Sequence, residues 1–261
     1  MNKNRIPALF LGHGSPMNVL EENRYTQAWR ALGKSLPRPQ AIIAISAHWY
    51  THGTAVTAMQ SPRTIHDFGG FPDALYATRY PAPGSPELAQ EIADLLAPVV
   101  VQPDQKWGFD HGCWGVLIKM YPEADIPVVQ LSIDADKPAA WHYALGRKLA
   151  AMRERGVMIV ASGNVVHNLR MLRWQDGADA WPWANSFNEF VREHISFRGD
   201  PTAHPLINFM QHENARLANP TPEHYLPLLY VLGTQQPDDP VTFPVDGIEM
   251  GAVSMLSVQV G

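Results

Sequence analysis

Three histidines each lie just beyond a run of four apolar residues: His13 after residues 8–11, His48 after residues 42–45 and His167 after residues 157–160. Short apolar runs that end near Gly or Ser are typical of buried strands in a parallel sheet, and such sheets bind ligands outside the carboxyl ends of their strands. Three independent packing histidines would have no reason to share this position. The pattern therefore predicts a metal site built from imidazoles.

The composition narrows the kind of metal site. The three histidines are far apart in sequence, so there is no local zinc-finger or His-Glu-x-x-His spacing, and the fold must bring them together. Cys113 is the only cysteine, which excludes intramolecular disulfides and thiolate-rich zinc or iron–sulfur sites. A site dominated by imidazole favours a transition metal over magnesium or calcium. Cys113 itself, in an aromatic context, is predicted to be a small buried residue.

Two further histidines are candidates. His224 follows a Thr-Pro-Glu signature at residues 221–223, which predicts a helix through residue 232 with this histidine in its first turn. The helix dipole there disfavours the protonated ring, but the adjacent Glu223 is a competing ligand and either residue could complete the site. His111 lies at the start of another predicted helix, and both a structural and a functional role are open for it.

A loop-rich segment over residues 62–86 contains His66, Asp67, two glycines and two phenylalanines. This composition suits a mobile lid over an apolar pocket, and it suits a rigid surface loop equally well. His66 is a candidate for substrate contact in the first case and an ordinary hydrogen-bonded side chain in the second.

The elements that must position these residues indicate an α/β fold. We expect a single domain over residues 1–261, with a central, mostly parallel sheet flanked by helices and the metal site at the C-terminal ends of strands. Strands are predicted at residues 7–12, 40–46, 54–59, 126–133, 157–162 and 252–260, and helices at 86–97, 110–120, 137–155, 181–195, 205–217 and 221–232.

Charge and hydropathy exclude several classes of function. The chain has 17% charged residues and a formal net charge of -5, which provides no basic footprint for nucleic acid. It contains no apolar segment of signal-peptide or membrane-spanning length, so we expect a cytoplasmic protein without a membrane partner. A monomer or a small homo-oligomer fits this composition.

Nucleotide-binding and serine-hydrolase motifs are missing from the sequence. There is no Gly-x-Gly-x-x-Gly, no Walker loop and no Gly-x-Ser-x-Gly elbow. Ser15 follows Gly14 and precedes Pro16, an arrangement that predicts a helix cap rather than a nucleophile.

Six segments carry the candidate residues: Gly-His-Gly-Ser-Pro at 12–16, Ser-Ala-His-Trp at 46–49, His-Asp-Phe-Gly-Gly-Phe at 66–71, Gly-Phe-Asp-His-Gly at 108–112, Ser-Gly-Asn-Val-Val-His-Asn at 162–168 and Pro-Glu-His-Tyr at 222–225. Together they resemble the class III extradiol ring-cleavage dioxygenases, and most strongly the branch that acts on DOPA. The likeness extends over nearly the whole chain.

The resemblance implies an oxidoreductase with one divalent non-haem metal per chain, Fe(II) for activity and zinc as a possible occupant of purified protein. Such an enzyme opens the ring of DOPA, or of a similar catechol, with O2 to a yellow semialdehyde. By motif, His13 and His48 would be metal ligands, and His224 would be the third where protocatechuate-cleaving relatives have a glutamate. His167 would be the acid–base residue and a fourth ligand to zinc, while His111 would orient dioxygen or a substrate hydroxyl.

Two other functions are compatible with the same residues. A zinc-dependent hydrolase would use a histidine site with an open position to activate water. A non-catalytic metal-binding module is the other, because the fold also resembles a family of cell-motility mediator proteins. The physiological substrate stays open, with Arg170 as one candidate among several for binding a substrate carboxylate.

Overall fold

The structure is a computed structural model that describes residues 5–175 and 177–261. In these ranges the strands are β1 (Ala8–Gly12), β2 (Ala41–Thr51), β3 (Thr54–Thr57), β4 (Val101–Asp104), β5 (Val128–Asp134), β6 (Val157–Gly163), β7 (Val241–Thr242), β8 (Ile248–Glu249), β9 (Val253–Ser254) and β10 (Val258–Val260). The α-helices are α1 (Arg24–Ser35), α2 (Asp73–Ala77), α3 (Pro86–Leu96), α4 (His111–Met120), α5 (Ala139–Glu154), α6 (Pro182–His194), α7 (Ala215–Ala218) and α8 (Leu226–Gly233).

Most strands belong to one large sheet in the order β4-β3-β5-β2-β6-β1-β10-β7, and β8 pairs with β9 separately. The centre of the large sheet is parallel, because β2 pairs in parallel with β5 and β6, and β6 pairs in parallel with β1. Antiparallel pairs join β3 to β5 and β10 to both β1 and β7. The predicted α/β class, with a mostly parallel central sheet between helices, is confirmed.

The core lies on both faces of this sheet. Alternate residues of β1 show the division, since Leu9 and Leu11 pack on one face and Phe10 on the other. Helices α1 and α4 cover the first face, while α3, α5, α6 and α8 cover the second. Burial on both faces explains why the central strands are continuous apolar runs in the sequence.

The carboxyl ends of β2, β6 and β1 open onto one edge, because these three strands are parallel neighbours. His13 follows β1 directly, and His167 lies four residues beyond β6. His48 is inside β2, which continues to Thr51 although the predicted strand ended at residue 46. The pairing of β2 with β5 shifts register between Ile45 and Tyr50, so His48 lies in the irregular part of the strand.

Residues 205–217 do not form the predicted helix. They fold into turns, a 3-10 turn over Phe209–Gln211 and the short α7. Local side chains compete with helical hydrogen bonds here: the ring nitrogens of His204 and His212 accept from the backbone N–H groups of Leu206 and Asn214.

The last two predicted elements also differ from the structure. Helix α8 begins at Leu226 instead of residue 221. The hydroxyl of Thr221 donates to Glu223, and Pro222 O accepts from Tyr225 N and Leu226 N, so a turn leads into the helix. His224 therefore lies in the turn before the helix. The predicted strand at 252–260 is divided into β9 and β10, and β4 had no prediction.

Within the described parts of the chain, no helix has both the length and the apolar character required to cross a bilayer.

Candidate metal centre

Three of the predicted ligands meet at the carboxyl edge of the sheet. One nitrogen from each of His13, His48 and His224 lies within 4.8 Å of the other two. The Nε2 atoms of His13 and His48 face each other at 3.2 Å, and the ring centroids of His13 and His224 are 5.5 Å apart. Residues that are 35 to 211 positions apart in sequence are thus brought together by β1, β2 and the turn before α8.

The outer contacts of these rings fit a metal ion. His13 Nδ1 lies 2.8 Å from Ser162 Oγ, and His48 Nδ1 lies 3.2 Å from Asp67 Oδ2. A neutral imidazole with its N–H at Nδ1 has its lone pair at Nε2, so both lone pairs would converge on the 3.2 Å gap. Outer partners that fix imidazoles in this way are typical of metal ligands.

The approach of His224 depends on the end of β6. A Cβ added at Gly163 would collide with the carbonyl oxygen of His224, and that oxygen accepts from Asn164 N at 2.9 Å. The ring is 6% exposed, and its Nε2 is buried without a hydrogen-bond partner among the described residues. An orphaned acceptor or donor at a buried site calls for a ligand, and a metal ion satisfies it.

His167 lies beside the three-histidine group. Its ring stacks on that of His224, with centroids 3.5 Å apart and planes 7° from parallel. The backbone holds it in place, because its N–H donates to Ala218 O at 2.8 Å and it forms an isolated bridge with Val253. His167 is therefore adjacent to the candidate metal position, and its role as a ligand stays a prediction.

His111 joins the cluster from the first residue of α4. Its ring centroid is 4.0 Å from that of His48, and Asp110 caps the helix by accepting from Cys113 N at 3.1 Å. Asp110 is fully buried and also accepts from Ser46 Oγ at 2.6 Å, which connects the start of α4 to the irregular part of β2. This buried connection holds His111 and His48 at a fixed separation.

Burial determines the protonation of most of these rings. Together with repulsion from neighbouring imidazoles, it lowers the pKa of His13 and His224 well below the ordinary value of 6.5, and it lowers the pKa of His167 to about 4. For His48, burial also disfavours the charged form, but the Asp67 contact and other nearby carboxylates outweigh it and raise the pKa. Neutral rings have the lone pair that a metal requires.

The remaining predicted residues lie around this cluster. Glu223 is next to His224, with 3.4 Å between its Oε1 and His224 Nδ1. His66 Nε2 lies 2.9 Å from Thr78 O. This contact favours the prediction that His66 is an ordinary hydrogen-bonded side chain. Arg170 is exposed after His167, and its contact with substrate stays a prediction. Cys113 is free and buried, as predicted.

Asp67 is the main site residue that sequence reasoning missed. It contacts His48 through Oδ2 at 3.2 Å and His111 through Oδ1 at 3.1 Å, and both are charge contacts that lack the angle of a hydrogen bond. Burial raises the pKa of its carboxyl, but the two histidines outweigh burial and lower the pKa. Its place between His66 and Phe68 in a distinctive motif was the available signal. Phe68 also packs edge-on against His111, with centroids 5.5 Å apart.

Fold and site together define an α/β protein with a histidine-rich candidate metal centre at the carboxyl edge of its sheet. The chain belongs to the family described as the catalytic LigB subunit of aromatic ring-opening dioxygenase, whose family model matches residues 7–256. It is therefore a ring-cleaving dioxygenase, an oxidoreductase, and the predicted resemblance is confirmed.

Relatives and a solved structure agree with this assignment. The chain is 65% identical to 4,5-DOPA dioxygenase extradiol of Escherichia coli K12, over 100% of this chain and 97% of the relative. It is 39% identical to 4,5-DOPA dioxygenase extradiol of Beta vulgaris, over 86% and 85% of the two chains. A crystal structure of an uncharacterised Escherichia coli K12 protein matches with a TM-score of 0.89 and 61% identity, covering 98% of this chain and 100% of the other.

Proposed function

We propose that this dioxygenase opens the catechol ring of DOPA by 4,5-extradiol cleavage, at a divalent metal held by His13, His48 and His224. The observation that carries the metal site is the pair of Nε2 atoms that face each other at 3.2 Å while both Nδ1 atoms contact other groups. The names of the relatives from Escherichia coli and Beta vulgaris support DOPA as the substrate.

Three imidazoles would hold the metal and leave room beside it for substrate oxygens. When bound, Fe(II) supplies the Lewis acidity and the one-electron chemistry that allow a catechol to react with dioxygen. The same donors accept zinc, and the general affinity order favours zinc over Fe(II). We therefore expect purified protein to contain zinc unless iron is supplied.

His167 is the acid–base residue in this proposal. Its lowered pKa of about 4 leaves the ring neutral near pH 7, so it can accept a proton from a catechol hydroxyl. The stacking on His224, one of the three proposed ligands, supports this role. Addition of both oxygen atoms to a catechol consumes no net proton, so His167 must return the proton before the product leaves.

His111 would orient the reactants. Its ring is 7% exposed and close to His48, where it can donate a hydrogen bond to dioxygen or to a substrate hydroxyl. The edge-on packing of Phe68 against this ring adds an apolar surface for an aromatic substrate.

The test combines oxygen uptake with metal analysis. Protein loaded anaerobically with Fe(II) and mixed with DOPA should consume oxygen and form a yellow product when air is admitted. His13→Ala should lose both bound metal and turnover, whereas His52→Ala, whose side chain is 87% exposed, should retain both. No oxygen uptake with any of a panel of catechols would overturn the proposed reaction, and unchanged metal content in His13→Ala would overturn the proposed site.

The same experiment separates the two other functions. A zinc hydrolase would turn over substrate with zinc in the absence of oxygen, and a binding module would hold metal without turnover. Membership of the ring-opening family favours the dioxygenase over both.

A further inference from the structure

The carboxylate of Asp67 is shared between two site histidines. Its Oδ1 accepts from the backbone N–H of His111 at 2.8 Å, and its Oδ2 lies 3.2 Å from His48 Nδ1. The side chain is 17% exposed, so these contacts are largely protected from water. A single carboxylate thus joins the irregular part of β2 to the first turn of α4.

The segment that contains Asp67 is fixed to the rest of the protein. Ile65 N donates to Phe109 O at 2.7 Å, and Trp114 Nε1 donates to Ile65 O at 2.8 Å. His66, the residue before Asp67, contacts Thr78 O through its ring. These bonds support the rigid-loop interpretation for residues 63–67 and hold the carboxylate in a defined position.

An ionised carboxylate has no proton to donate, so a neutral imidazole whose Nδ1 faces it at 3.2 Å is favoured in the tautomer with the proton on that nitrogen. We propose that Asp67 is a positioning residue: it keeps the N–H of His48 on Nδ1, so that Nε2 presents its lone pair to the metal, and it holds His111 beside that ligand. The inference rests on the proposed metal site, in which His48 is a ligand. It assigns Asp67 an outer role, although His48, Asp67 and His111 also have ligand atoms within 4.8 Å of one another.

Asp67→Asn provides a sharp test because asparagine has nearly the same shape. Its oxygen can still accept from His111 N, but its NH₂ group would face His48 Nδ1 and favour the tautomer with the proton on Nε2. We expect zinc affinity of the apoprotein, measured by competition with a chelator, to fall about 10- to 100-fold, the usual effect of losing an outer-sphere partner. Asp73→Asn, at an exposed carboxylate six positions along the chain, should leave zinc affinity unchanged.

Nitrogen NMR of ¹⁵N-histidine-labelled apoprotein, at a pH well above the histidine pKa, reports the tautomer directly. His48 should have its proton on Nδ1 in the unmodified protein and on Nε2 in Asp67→Asn. A merely structural role of Asp67 would alter stability without moving the tautomer.

Three results would overturn the inference: a proton on Nε2 of His48 in the unmodified protein, wild-type zinc affinity in Asp67→Asn, or a second zinc equivalent per chain that Asp67→Asn removes. The first needs no variant and so holds even if Asp67→Asn fails to fold. Since none of these measurements uses a catechol or oxygen, failure of ring cleavage would leave the inference intact.

Discussion

His167 and His224 have stacked rings, but we propose different roles for them. His224 belongs to the three-histidine group, whereas His167 is its neighbour. We expect His224→Gln to lose bound metal, and His167→Gln to retain metal while kcat falls about 10²- to 10⁴-fold, the range for loss of an acid–base group. Metal analysis of both variants, followed by oxygen uptake of the metal-loaded proteins, distinguishes the roles. Loss of metal from His167→Gln would make that residue a ligand instead.

At the scale of single residues, the sequence predicts those that a strand positions. His13 and His48 could be recognised because each lies near the end of an apolar run, and parallel neighbours deliver such ends to one edge. Asp67 could not, because its hydrogen-bond partner His111 is 44 residues away and because its loop has no periodic pattern. Contacts made by loops depend on tertiary packing, which one sequence does not display.

Two glycines of helix α4 allow a test of how this helix positions His48. A Cβ at Gly112 would collide with Ser46 Oγ and lie 3.0 Å from His48 Cδ2, whereas a Cβ at Gly115 would meet only Val19 Cγ2 at an ordinary 3.5 Å. Gly112→Ala should therefore displace His48, with overpacking that costs about 1–3 kcal/mol, and should weaken zinc binding.

Gly115→Ala is the matched control on the same helix. Alanine in a helix interior is favoured over glycine by roughly 0.5–1 kcal/mol, so this variant should be more stable and should bind zinc normally. Urea unfolding of the zinc-free proteins and chelator competition measure the two effects. Equal losses in both variants would contradict the assigned contact between Gly112 and His48.

Elements defined by local chemistry were predictable. Ser85 caps α3 by accepting from Leu88 N at 3.1 Å, with Pro86 as the first helical residue, and Gly156 after α5 has a φ of 77°. The predicted helix at 205–217 failed because polar side chains bond to nearby backbone groups there. Strand β2 was longer than predicted because its irregular pairing, rather than its hydropathy, determines where it ends.

A buried arginine joins parts of the chain that are far apart in sequence. Arg153, at the end of α5, is fully buried and donates to Ile6 O, Thr234 O and Val260 O, and also to Asp239. The hydrophobic pattern predicted the layers of the fold, but it could not predict this polar connection, since its partners are 81 to 147 residues away. Long-range polar contacts of this kind specify how the sheet edges and helix ends fit together.

Global stability should depend on pH through a buried histidine outside the metal centre. His142 lies fully buried between α5 and α8, with its Nδ1 3.0 Å from the Tyr230 hydroxyl, and burial lowers its pKa from 6.5 to about 4. Between these values the unfolded chain binds more protons than the native one, so the free energy of unfolding falls as pH decreases from 6.5 to 4. At about 1.4 kcal/mol per pKa unit, His142 accounts for about 3 kcal/mol of this loss.

His142→Gln removes the titrating group and keeps a polar partner for Tyr230. Urea unfolding of both metal-free proteins at several pH values measures the difference in their free energies of unfolding, in which contributions from the site histidines cancel. This difference should shift by about 3 kcal/mol in favour of the variant as the pH falls through the window, because only the unmodified protein must keep His142 unprotonated. A difference that stays constant with pH would show that His142 is not held neutral by burial.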